Sequence, residues 1–282
     1  MRLQIGKKLM LPTFSGYYVR ALLFNILKRA DPESSIKVHS SREYTFSTTP
    51  FIQGNRFRFT YLSPGEATFY FYTTKKDVFK LLAKAFYSEP MDHVLLRDRP
   101  YPILEFRMFD AELRPARIPL SFRVDFLTPT YFKRSGNVIL YPDPPLMVKN
   151  LAKLAGMDEE DAFRWALVNL RVSSFPKGIR TVEFREPKSS VFMRGFLGSV
   201  NFSLKEEDPD WSGRLPILLE LAKYIGVGGG RSMGFGRVLI KPYGKKSDVR
   251  ATGPHQGHGA AGREGRGDFV LAGDSGLRRG CP

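Results

Sequence analysis

The chain reads as an α+β protein: two tandem ferredoxin-like βαββαβ domains followed by a disordered tail. Three observations predict this. Across the first half, apolar residues alternate between strand and helix spacing in the order β-α-β-β-α-β. The second half repeats that order loosely. After Lys245 the composition turns to Gly and Arg with almost no apolar periodicity, as in a solvated chain. The expected boundaries are 1–117, 118–245 and 246–282.

Residues 2–11 are strand-like. Thr13 and Ser15 are candidate caps for a helix with Val19, Leu22, Leu23, Ile26 and Leu27 on one face. Asp31-Pro32 is expected to end that helix, leaving His39 in a linker. YTFSTTPFI and NRFRFTYL read as paired strands, and ATFYFYT as another after a Ser-Pro-Gly turn. Thr74 is a candidate cap for KKDVFKLLAKAFYSE, and HVLLR and YPILEFRMF close the first domain. In the second domain LSFRVDFLT alternates as a strand and a turn-rich connection follows. LMVKNLAKLA and DEEDAFRWALVNL are helices. Asp158 is the expected N-cap of the latter, so the acids at 158–161 are read as capping and dipole groups rather than as a metal site. GIRTVEFREPK and VFMRGFLGSVNFSL form a candidate β-hairpin, and a last helix begins near Trp211.

The formal charge of the 282 residues is +16, which favours a polyanionic partner. The single cysteine, Cys281, excludes an intramolecular disulfide and a cysteine metal site, as expected of a cytoplasmic protein. No apolar run is long enough to span a bilayer, and no membrane partner is expected.

Between the last helix and the last strand lies IGVGGGRSMGFGRVLI, with six glycines in eleven residues and Arg231 at its centre. Such a loop is expected to expose backbone N–H groups suited to phosphate. It follows a helix instead of opening one, so it is not a dinucleotide fingerprint.

Four segments together resemble the CRISPR-associated repeat-processing endoribonucleases of the RAMP superfamily, whose tandem domains are also described as RRM-like. The most specific is Gly226-Val227-Gly228, five residues, then Gly234-Phe235-Gly236. The others are LTPTYFKRSGNVILYPDPPLMVKNLAKLA, RGFLGSVNFSL, and the first helix followed by His39 and Tyr44-Thr45-Phe46-Ser47. The resemblance covers about residues 1–245. It implies an endoribonuclease needing no metal and no cofactor, which cuts precursor CRISPR RNA within the repeat. The 2′-hydroxyl attacks the adjacent phosphate, leaving a 2′,3′-cyclic phosphate and a 5′-hydroxyl. A proton must move and the phosphorane charge must be neutralised. Histidine suits the first task, with an unperturbed pKa of about 6.5.

Of the four histidines, His39 stands where the family places its catalytic one. The family's tyrosine position is Phe24, which exchanges no proton; Tyr18, Tyr17 and Tyr44 are candidate substitutes. Arg42 takes the family's lysine position as the cation for the phosphorane, with Lys37 a second cation nearby. The candidate RNA-binding residues are Arg231, Gly226, Gly228, Gly234 and Gly236 in the loop, Arg185, Lys188 and Arg194 on the hairpin, and Lys133 and Arg134 on the turn after TPTYF. The implied partner is repeat RNA. A non-catalytic repeat binder, a structural subunit associated with other CRISPR effector subunits, and a homodimer stay open.

Overall fold

The structure is a computed structural model that describes residues 1–40, 46–87, 91–115, 118–185, 192–206 and 208–243. The expected tail, 246–282, lies outside these residues. Met1–Lys245 forms one compact unit, within which each half has its own sheet and apolar core.

The first half begins with β1 (Arg2–Ile5) and β2 (Leu9–Met10), then α1 (Ser15–Ala30) and α2 (Pro32–Ser40). β3 (Phe46–Thr48), β4 (Phe51–Gln53), β5 (Arg56–Arg58), β6 (Tyr61–Leu62), β7 (Gly65–Thr68) and β8 (Phe71–Thr73) lead to α3 (Lys76–Tyr87). β9 (His93–Leu96) and β10 (Arg99–Glu105) complete it. Its main sheet is antiparallel, in the order β5-β4-β7-β1-β10-β9, with β1 between β7 and β10. This is the ferredoxin-like arrangement with one extra strand at each edge. Leu3 and Ile5 of β1 meet Val19, Leu22, Ile26 and Leu27 of α1 in the core, because strand and helix periods each put their apolar residues on one face.

α2 replaces the expected linker. Asp31-Pro32 ends α1 and starts another helix. The Asp31 carboxylate accepts from the Ser34 N–H at 3.0 Å and the Ser34 hydroxyl at 2.8 Å, and proline is favourable just inside a helix start. These hydrogen bonds hold the Asp31 carboxyl below its ordinary value. The expected caps of α1 are used elsewhere: Thr13 Oγ1 donates to the Arg185 carbonyl, and Ser15 Oγ donates to the Arg58 carbonyl and accepts from the Phe51 N–H. Both hydroxyls are buried, and tertiary carbonyls satisfy them.

The second half runs β11 (Ser121–Thr130), a hairpin of β12 (Phe132–Arg134) and β13 (Asn137–Ile139), α4 (Pro144–Ala155), α5 (Glu159–Asn169), β14 (Leu170–Ser174), β15 (Ile179–Arg185), β16 (Phe192–Leu204), α6 (Trp211–Ile225) and β17 (Val238–Pro242). The sheet order is β14-β16-β11-β17, with β15 pairing along β16. Asp158 caps α5 as expected, accepting from the N–H groups of Glu160 and Asp161. Phe122, Phe132, Phe196 and Phe202 are fully or almost fully buried here beneath α4 and α6. β14 is a strand the sequence reading did not separate from the end of α5, since LRVSS directly continues the helix without a Gly or Pro break.

Candidate functional site

Three residues of α1 fall along one face. Tyr17, Arg20 and Phe24 are separated by three and four positions, so at about 100° per residue they lie within roughly 60° of each other. Phe24 is the hub of this face. The His39 ring, in the last turn of α2, stands edge-on to it with centroids 4.8 Å apart. The Arg20 guanidinium carbon is 5.2 Å from the same ring, a cation–π distance. Phe46, at the start of β3, closes another side at 5.6 Å. His39 is exposed. Arg20 Nε is buried and makes no hydrogen bond.

The arrangement brings an imidazole ring and a permanent cation against the same apolar ring. The imidazole accepts or donates a proton with its ring presented to solvent. The guanidinium supplies positive charge without proton exchange. Sequence reasoning did not single out Arg20; its signal was the four-residue spacing to Phe24. Arg42 and Tyr44 lie outside the described residues, between α2 and β3. Tyr18 is on α1 but six positions from Phe24, about 120° around the helix, and therefore on a different face from Phe24 and His39. Burial raises the Tyr18 phenol above its ordinary value, opposed by the Arg97 guanidinium at the β9–β10 turn. Lys37 is exposed on α2. Among the described residues, no group of three or more His, Cys, Asp or Glu side chains is placed to hold a metal ion.

The glycine loop corrects the expectation of an open amide cradle. The N–H groups of Gly226, Gly234 and Gly236 donate to the carbonyls of Ala222, Arg231 and Pro129, and those of Val227 and Gly229 donate to Gly236 and Tyr131. Gly226, Gly228, Gly234 and Gly236 are all buried. Arg231 is only 9% exposed and donates to the Gly228 carbonyl at 3.0 Å. These groups therefore face the protein. The loop is built as a joint. Gly234 has φ +78° and packs on Pro50, where a Cβ would come within 2.7 Å of the proline nitrogen. Gly16 of α1 lies so close to the Met233 carbonyl that a Cβ would overlap it. Thr48 Oγ1 donates to the Ser232 carbonyl at 3.1 Å. Phe235 is fully buried and meets Phe14 edge-on at 4.9 Å, and Phe14 also touches Phe59 and Phe184.

Next to this joint, the buried Arg237 guanidinium donates to the carbonyls of Lys223 and Tyr224 at the end of α6 and lies 4.8 Å from the Tyr72 ring. A cation here opposes the negative end of the helix. Burial pushes the Tyr72 phenol up, against the pull of Arg237.

The hairpin residues divide. Arg185 is exposed near the joint, since its carbonyl receives Thr13. Arg194 is exposed and paired with Glu183 across the strands. Lys188 lies outside the described residues. Lys133 and Arg134 are exposed on β12, with Arg134 lying 5.9 Å from the Phe163 ring of α5. Exposed Arg171 and Arg180 on β14 and β15 extend the basic arm and were not singled out from the sequence.

Comparison with known proteins bears on this geometry. Residues 124–238 match the family model of the CRISPR-associated endoribonuclease Cas6. A curated Cas6 endoribonuclease of Mycobacterium tuberculosis (strain H37Rv) is 31% identical over 128 residues, 43% of this chain. The match spans 39% of that relative's length. Among solved structures, a Cas6 product complex (TTHB231) superposes with a TM-score of 0.67 at 22% identity, over 85% of this chain and 98% of that one. A protein described as Cas6-related, from Pyrococcus furiosus, gives 0.54 at 14% identity over 85% and 95%. Residues 124–238 thus match the Cas6 family model, and the chain shares the fold of the solved Cas6 structures.

Proposed function

We propose that the protein is an endoribonuclease that binds CRISPR repeat RNA and cuts precursor RNA within the repeat. The observation that carries this reading is the exposed His39 ring held against Phe24, with Arg20 across the same ring. The family match and the net charge of +16 support it. In the proposed reaction the substrate 2′-oxygen forms a bond to the adjacent phosphorus and the bond from phosphorus to the 5′-oxygen breaks. His39 takes the 2′-hydroxyl proton and returns one to the leaving 5′-oxygen. Arg20 neutralises the phosphorane, and Arg42 joins it on the strength of its sequence position. No metal enters this scheme, and the products are a 2′,3′-cyclic phosphate and a 5′-hydroxyl. The RNA is held by the basic hairpin arm with Arg185, Arg194 and Lys188, and by Lys133 and Arg134 on the other turn. Among the described residues no helix is long and apolar enough to cross a membrane.

Phe24 also favours a second reading, a repeat binder or effector-complex subunit that does not cut, because phenylalanine has no proton to exchange. One experiment separates the two: sequencing the RNA that co-purifies with the protein. The nuclease reading expects a uniform 5′ end inside the repeat. RNA with ragged ends, bound tightly and left uncut over hours, would instead support the binder.

A further inference from the structure

We propose that the groove between α2 and α3 is a track for the phosphate backbone of single-stranded RNA, leading to the His39 end of α2; only that destination rests on the nuclease reading above. The groove has a volume of about 550 Å³. Val38, Val78 and Leu81 form its apolar part, and Lys37, Lys80 and Lys84 stand around it with Asp77 as the one carboxylate.

The lysines follow from the design of α3. Val78, Leu82 and Ala85 are buried on one side. Lys76, Lys80 and Lys84 recur every four residues on an exposed line, so successive ammonium groups start about 6 Å apart along the axis. Like charges at this spacing repel each other on a helix surface. Asp77 stands three residues before Lys80, while Lys76 and Lys84 have no acid three or four residues away on α3. The groove holds three lysines against one carboxylate, and a polyanion laid along it neutralises that excess and places sugar faces against the apolar lining. Ser34, Lys37 and Val38 line the groove along α2, whose last turn carries His39. Lys37 has a partner of its own within the protein, so Lys80 and Lys84 are the residues to test.

The test is fluorescence anisotropy of a labelled 15-nucleotide oligo(U) on the full chain between 50 and 200 mM NaCl. For the Lys80→Ala/Lys84→Ala variant the expected result is a Kd raised about tenfold. The slope of log K against log salt should become shallower by about 1.4, the value for two lost single-strand phosphate contacts. Lys80→Arg/Lys84→Arg should bind within about twofold of wild type, as should Lys153→Ala/Lys205→Ala, exposed lysines elsewhere. An unchanged slope overturns the proposal. So does an arginine variant as weak as the alanine one, an equal loss in the control pair, or a wild type that does not bind oligo(U). Cleavage of repeat RNA is read in parallel. A wild type that binds without cutting removes the nuclease reading and leaves the groove standing. A wild type that cuts, with the slope unmoved in the lysine variant, removes the groove alone.

Discussion

Phe24 contacts the two groups on which the proposed chemistry depends. Its ring contacts both His39 and Arg20, so it fixes their spacing while taking no part in proton transfer. That division makes Arg20 the residue whose role is most open to test. Its charge, rather than its shape, should matter to the phosphorane. Arg20→Ala is expected to slow cleavage by about 10- to 100-fold with RNA affinity within about twofold of wild type, and Arg20→Lys should keep most of the rate. Single-turnover kinetics with a separate binding measurement check this; an equal loss in both variants would mean that Arg20 serves packing against Phe24. The position of Phe24 beside His39 was legible from the family's order of residues. Arg20 was not, because its four-residue spacing to Phe24 gains meaning only once the partner that touches that helix face is known. Tyr18 shows the same limit: it is near Phe24 in the chain, yet about 120° away around the helix.

At the scale of elements, the glycine loop was legible as a motif and misread as a surface. Glycines indicate close backbone approach or positive φ, and do not say whether the approaching group is a ligand or the protein itself. Here the approaching groups are Pro50 at Gly234 and Tyr131 at Gly228 and Gly229. Gly234→Val is therefore expected to lower thermal stability steeply or prevent soluble expression, since φ +78° and the contact with Pro50 both exclude a side chain. Phe235→Ala, which keeps the backbone, should cost about 3–5 kcal/mol, the usual range for a buried phenylalanine. Thermal and denaturant unfolding measure both. A Gly234→Val protein that melts like wild type but binds RNA poorly would restore the loop as an RNA platform. α2 and β14 show a different gap in the sequence reading. Asp-Pro is both a stop for one helix and a start for the next, and β14 follows α5 with no turn residue between them.

At the scale of the whole molecule, the ferredoxin-like halves were legible because two complete strand and helix orders appear in one chain. How they join was not, since the joint uses residues from distant segments: Gly16, Thr48 and Pro50 from one half, and Met233, Gly234 and Phe235 from the other. The joint also locates the proposed chemistry. α1 carries Phe24 and Arg20, and its first turn rests on the glycine loop at Gly16. On the proposed reading, RNA gripped by the hairpin of the second half would be held in a fixed relation to α1. The proposed chemistry turns on His39 moving the proton in a cut that needs no metal. Its most direct test is cleavage of a repeat RNA in EDTA by wild type and by His39→Ala, with the product ends identified and binding measured alongside. Wild type is expected to cut in EDTA and leave 2′,3′-cyclic phosphate ends, while His39→Ala loses at least about 100-fold in rate and binds within about threefold of wild type. Undiminished cutting by His39→Ala, or a strict need of the wild type for magnesium, would contradict it.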